Sequence, residues 1–144
     1  MKLEYRMTDQ LALSGQTSAQ TIAAEQQGVL KLNDIRDQLR VFVAERNWAQ
    51  FHTPKNLACA LSVEAAELLE PFQWLQSGSA DELNATTRTA IRHEMADVLN
   101  YLVMLADRLE VDLLTAAQEK IALNALKYPI EQVRGDPRKY SDYS

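Results

Sequence analysis

Chain breakers are scarce in this sequence: it has only 4 glycines and 4 prolines in 144 residues. That scarcity disfavours a turn-rich β fold and leaves room for long helices. A single cysteine, Cys59, excludes an internal disulfide and a cysteine-based metal site, and it suits a reducing, cytoplasmic setting. Because Cys59 lies in an apolar run, it is expected to be a small buried side chain. No apolar stretch approaches the ~20 residues needed to cross a bilayer, and the N-terminus lacks a signal-peptide core. No basic run stands out, and the formal net charge is −5. Duplex nucleic acid and anionic membrane are therefore poor partners. An acidic protein can still handle a polyanion when metal ions sit between the two.

The residues that are present describe one globular domain with a tail. The hydrophobic fraction of 47% is ordinary for a folded chain of this length. Residues 1–30 are polar and read as an N-terminal tail; residues 31–144 read as the domain. Leu32, Ile35, Leu39 and Phe42 recur at helical spacing after a cap at Asn33 or Asp34. That helix should end near Arg46-Asn47-Trp48. Thr53-Pro54 reads as a cap followed by proline in the first turn, opening a second helix that runs to about Phe72. Ser77 to Asp81 is a loop or lid, and a third helix spans about Thr87 to Arg108. A fourth restarts at Val111-Asp112 and is terminated by Pro129, leaving a polar, basic tail. Four helices in so short a chain predict an all-α, four-helix-bundle type of fold. The third helix is apolar almost all round (Ile91, Met95, Val98, Leu99, Leu102, Val103, Leu105), so it should be covered on several sides. A homo-oligomer with a helical interface is the expected way to cover it.

Carboxylates occupy positions where apolar side chains belong. On a wheel of the second helix, Leu57, Leu61 and Leu68 fall within about 40° of each other. Glu64 lies inside that arc and Glu67 on its flank, whereas Glu70 points away. The third helix repeats the arrangement, with Glu94 central to a stripe of Ile91, Val98, Leu102 and Leu105, Asp97 beside it and Tyr101 a turn further on. One E-x-x-E is ordinarily a solvated face. Two i, i+3 pairs on the apolar stripes of neighbouring helices carry a high desolvation and repulsion cost unless cations compensate. Oxygen-only ligand sets suit hard divalent ions, so Mg²⁺ is expected, with Mn²⁺ as its substitute. A di-iron bundle needs Glu-x-x-His, and neither His52 nor His93 follows a Glu at that spacing.

Complementary groups lie on the fourth helix. Lys120, Asn124 and Lys127 share a stripe with Leu113 and Ala117, where they can meet phosphate oxygens or simply snorkel from a solvated face. Trp48 and Trp74 flank the second helix, each as a base-stacking surface or a core anchor.

Together these residues resemble the all-α NTP pyrophosphatase superfamily, which includes MazG and dimeric dUTPases, and within it the dCTP pyrophosphatase family. The resemblance runs from about residue 32 to residue 142. It rests on Glu45-Arg46-Asn47-Trp48, Phe51-His52-Thr53-Pro54-Lys55-Asn56-Leu57, Glu64-x-x-Glu67-Leu68, Phe72-Gln73-Trp74, and Glu94-x-x-Asp97-Val98-Leu99-x-Tyr101-Leu102. It continues in Lys120-x-x-x-Asn124-x-x-Lys127-Tyr128-Pro129 and in Arg134-Gly135 with Lys139-Tyr140. The resemblance implies that Glu64, Glu67, Glu94 and Asp97 bind Mg²⁺ and form the catalytic set. It implies a nucleoside pocket of Trp48, His52, Trp74 and Tyr101, phosphate contacts from Lys120, Asn124 and Lys127, and a tetramer. The implied reaction is attack of water on the α-phosphorus of dCTP or a 5-modified dCTP, releasing pyrophosphate, in a nucleotide-pool house-cleaning role. Alternatives are the same chemistry on dUTP or another nucleotide, and a non-catalytic metal-binding oligomerisation module. His93, Asn100 and Leu39 depart from the family pattern (relatives carry Glu, an aliphatic residue and, in some, His), which bears on base and sugar preference.

Overall fold

A computed structural model describes residues 30–138. Its order is α1 (Leu32–Glu45), α2 (Pro54–Glu67), a 3₁₀ turn (Glu70–Phe72), α3 (Ala85–Arg108), α4 (Leu113–Lys127) and α5 (Ile130–Val133). There is no strand among the described residues, in agreement with the expected all-α class. The polar segment over residues 1–29, and Lys139 and Tyr140, lie outside the described residues.

The helix starts follow from capping. Thr53 Oγ1 accepts from the backbone N–H of Asn56, with Pro54 in the first turn. Asn84 Oδ1 accepts from Thr87, and Asp112 Oδ1 accepts from Leu114 and Thr115. These bonds satisfy donors that a helix start otherwise leaves open. The cap expected at Asn33 or Asp34 sits earlier. Helix α1 begins at Leu32, and the Asp34 carboxylate reaches back to the Lys31 N–H at 2.8 Å, as the acid of a capping box does.

Helix ends account for the other differences. Helix α2 stops at Glu67 rather than Phe72, because the chain tightens into the Glu70–Phe72 turn around Pro71. Pro71 has no N–H to continue an α-helical ladder. Pro129 ends α4 as expected, but its extended backbone also opens α5, where only a tail was expected.

Helices α1 and α3 each end on a left-handed residue. Asn47 has φ 52°, and the amides of Asn47 and Trp48 bond back to Ala44 and Val43, each at 3.0 Å. Glu110, at φ 56°, closes α3 in the same way, with Val111 N–H on Ala106. This is the Schellman pattern, which returns the chain against the helix it has just left.

The packing centres on α2 against α3. Leu57, Val103 and Ala106 are the only buried hydrophobic residues among those described. Cys59 is exposed rather than buried. It stands two residues from Leu57, hence about 160° round the helix from the core side, and membership of an apolar run did not reveal that phase.

Helix α1 is tied to α3 by a bidentate ion pair. Arg40 Nε donates to Asp107 Oδ2 at 2.9 Å, and Arg40 NH2 donates to Oδ1 at 2.6 Å. The guanidinium hydrogen bond, more than its charge, holds the Asp107 carboxyl below its ordinary range. A depressed carboxylate stabilises the fold above the unfolded-state value of about 3.9 and loses that contribution as pH falls through the lower folded value. Asp107→Asn is therefore expected to lower the melting temperature by a few degrees at pH 7, measured by circular dichroism. The deficit should begin to shrink below about pH 4 and vanish only once the pH is below the depressed folded value. An unchanged melting temperature at pH 7 would show that the pair contributes nothing.

Candidate active site

The carboxylates meet where α2 faces α3. One oxygen from each of Glu64, Glu94 and Asp97 lies within 4.8 Å of the others, close enough for a single ion to touch all three. Glu64 and Glu94 are half-buried and Asp97 is exposed. Among the described residues none of the three pairs with a lysine or arginine. Burial, followed by the charges of Glu67, Asp97 and Glu94, pushes the Glu64 carboxyl above its ordinary range. Such repulsion is what a site built for a cation shows before the cation arrives. The donor set is all oxygen, which fits Mg²⁺ or Mn²⁺.

The structure gathers three of the four expected acids. Glu67 is exposed and stands outside the trio, although its charge acts on both Glu64 and Tyr101. Glu94 and Asp97 keep the same three-residue spacing and both join the trio, so the facing of α2 against α3 rather than the spacing sets Glu67 apart. Tyr101 lies beside the carboxylates, where burial and then Glu64, Asp97 and Glu67 push its hydroxyl up. It therefore remains a neutral phenol and an O–H donor.

A cleft of about 620 Å³ opens from this acidic end, within the size range of small-molecule sites. Asp97 and Tyr101 belong to it, with Asn100 and Met104 further along α3. Ile35, Gln38, Leu39 and Phe42 of α1 line it too, as do Trp48 and His52 from the connection to α2. The left-handed Asn47 explains how Trp48 comes to be there, because the Schellman turn folds the indole back onto Phe42, edge to face at 5.8 Å. The Arg46 guanidinium sits 3.6 Å from the centre of the Phe42 ring on the same short segment. His52 lies 6.3 Å from Trp48, ring to ring. Its segment is fixed by the Asn56 side-chain amide, which donates to the Phe51 carbonyl at 2.9 Å.

Of the expected nucleoside residues, Trp48, His52 and Tyr101 line this cleft together. Trp74, Lys120, Asn124 and Lys127 do not line it. Trp74 is 88% exposed, and the three α4 side chains face solvent. The helical spacing of Ile35, Leu39 and Phe42 marks one apolar stripe of α1, and in the structure that stripe walls the cleft.

Residues 59–143 match the MazG-like family. The chain is 43% identical to dCTP pyrophosphatase 1 of Homo sapiens over 113 residues, covering 77% of this chain and 66% of that protein. It is 45% identical to the Mus musculus protein of the same name over 114 residues, covering 77% and 66%. The chain thus spans about 66% of the length of these curated relatives. A pyrophosphatase from Archaeoglobus fulgidus DSM 4304 is 40% identical and superposes with a TM-score of 0.65, covering 71% of this chain and 95% of that one. With three of the expected acids brought together beside an aromatic cleft, and with a matching family model and relatives this similar, the chain belongs to the MazG-like family.

Proposed function

We propose that this chain is a divalent-cation-dependent nucleoside-triphosphate pyrophosphatase acting on dCTP or a 5-modified dCTP, in nucleotide-pool house-cleaning. The observation that carries this reading is the uncompensated Glu64, Glu94 and Asp97 trio at the acidic end of a nucleotide-sized aromatic cleft. The curated relatives named dCTP pyrophosphatase 1 supply the substrate.

In this reading Glu64, Glu94 and Asp97 hold Mg²⁺, with Mn²⁺ as substitute and Glu67 as the fourth ligand. A divalent ion bound there supplies charge neutralisation on the phosphates and lowers the pKa of water. One carboxylate of the set, Glu64 or Glu67, takes the proton of the water that attacks the α-phosphorus. The Tyr101 phenol donates toward the sugar-phosphate end, and Trp48 with His52 forms the nucleoside wall. Lys120, Asn124 and Lys127 reach the phosphates and Trp74 offers a second indole face. All four belong to the proposal on sequence pattern rather than on their place in the cleft.

A homotetramer, assembled as a dimer of dimers, covers the apolar helix faces that a single chain leaves in water. A cytoplasmic setting agrees with the exposed free thiol of Cys59. No helix among the described residues is long and apolar enough to cross a membrane.

The test is pyrophosphate release from a panel of canonical and 5-substituted nucleoside triphosphates, with Mg²⁺ and with EDTA. Release led by dCTP or a 5-substituted dCTP, and abolished by EDTA, is expected. Release led by dUTP or another nucleotide would move the specificity and keep the chemistry. No release from any member would leave a metal-binding helical assembly.

A further inference from the structure

The cleft is bounded by two matching helical stripes. Asp97, Asn100, Tyr101 and Met104 of α3 recur at i, i+3, i+4 and i+7, as do Ile35, Gln38, Leu39 and Phe42 of α1. Each stripe carries one carboxamide at its second place, in a lining otherwise built from apolar and aromatic groups, His52 and the acidic end. Among the described residues neither Gln38 nor Asn100 makes a side-chain hydrogen bond. Asn100 is half-buried. An unpartnered amide in such a wall is costly once a ligand displaces water, unless the ligand itself supplies the partner.

Position along α3 indicates which part of a nucleotide arrives there. Asn100 stands one turn beyond Asp97, about 5 Å along the axis. A triphosphate held at the carboxylates therefore extends its nucleoside past Asn100 toward Met104 and Leu39. A carboxamide presents an acceptor and a donor side by side. That pair matches a base edge with an exocyclic amine next to a ring nitrogen: the amide oxygen accepts from the amine, and the amide nitrogen donates to the ring.

We propose that Asn100, assisted by Gln38 from the facing helix, is a specificity-determining residue that reads the amino edge of a pyrimidine base in this cleft. The assignment rests on the pyrophosphatase reading and deepens it. Neither residue touches the reacting phosphorus, so the effect belongs in base discrimination rather than in the chemical step.

The experiment compares pyrophosphate release from dCTP with release from 2-deoxyribose 5-triphosphate that carries no base, using the full chain with Mg²⁺. Asn100→Leu keeps the side-chain size and removes both hydrogen-bonding groups. It is expected to lower the ratio of kcat/KM for dCTP to that for the base-free compound by about 10- to 100-fold. Gln38→Met is expected to lower the same ratio by less. A ratio unchanged in Asn100→Leu, whether both rates hold or both fall together, overturns the assignment and leaves Asn100 as a structural or sugar-facing group. No release from either compound by the unsubstituted chain overturns the pyrophosphatase reading, and this assignment with it.

Discussion

Glu64→Gln and Asp97→Asn are each expected to fold and to lose pyrophosphate release by about 10²–10⁴-fold. Each substitution keeps the size and shape of the side chain and removes one charge from a trio whose oxygens lie within 4.8 Å. The two losses should not multiply in the double variant, because both act on one site. Stability should move the other way. The Glu64 carboxyl titrates above its ordinary range, so the metal-free fold is favoured while Glu64 is protonated. That advantage is lost as pH rises through the raised value. Above the unfolded-state value Glu64 works against the metal-free fold, and Glu64→Gln should melt higher than the unsubstituted chain in EDTA at neutral pH. The gain should disappear below about pH 4. Added Mg²⁺ should raise the melting temperature of the unsubstituted chain and do little for the variant. Retained turnover in both variants would sink the metal-site assignment, whatever the melting curves show.

Leu126→Glu is expected to break the assembly and take much of the folding stability with it. Three small or medium side chains, Leu57, Val103 and Ala106, make up the buried hydrophobic set among the described residues. Burial on that scale does not offset the conformational entropy lost by a hundred-odd ordered residues. Helix α4 has no buried residue of its own, with Leu126 79% exposed and Ile121 69%. On α3, Met95 is 58% exposed. In the proposed tetramer a second copy supplies the missing core at these apolar faces, and obligate oligomers often have no stable folded monomer. Light scattering behind size exclusion should show the unsubstituted chain as a single oligomer whose melting temperature rises with concentration. Leu126→Glu should run smaller, melt lower and bind a hydrophobic dye. A monomeric unsubstituted chain with a concentration-independent melting temperature would overturn this expectation.

Residues whose meaning is local were legible in the sequence. Thr53-Pro54 and Asp112 announce helix starts through their own side chains, and the i, i+3 acids declare their face through helical period. Where a second element decides the outcome, sequence reading stopped short. The Ile35, Leu39 and Phe42 stripe has the pattern of a core in any context, and only the position of α3 makes it a wall of the cleft. Pro129 was legible as a stop but not as the start of α5, since the same fixed φ serves both. Glu67 carries the same spacing as Asp97, yet only Asp97 joins the trio, and the facing of α2 against α3 decides between them. Asn47 gave no warning that it holds a left-handed conformation, although Trp48 owes its place in the cleft to it.

In the proposed site the connection after the 3₁₀ turn bears on affinity. The Glu82 carboxylate accepts from the backbone N–H groups of Gln76 and Ser77 and from the Ser77 hydroxyl. Arg88 binds the Ala80 and Leu83 carbonyls from the first turn of α3. Gly78, at φ 71°, could not gain a side chain without meeting Phe72 at 2.9 Å. The Trp74 indole is thus nearly bare to water on a segment already tied down at both ends. A loop ordered in advance leaves little entropy to lose when a planar partner settles on that ring, so more of the stacking energy is available as binding free energy.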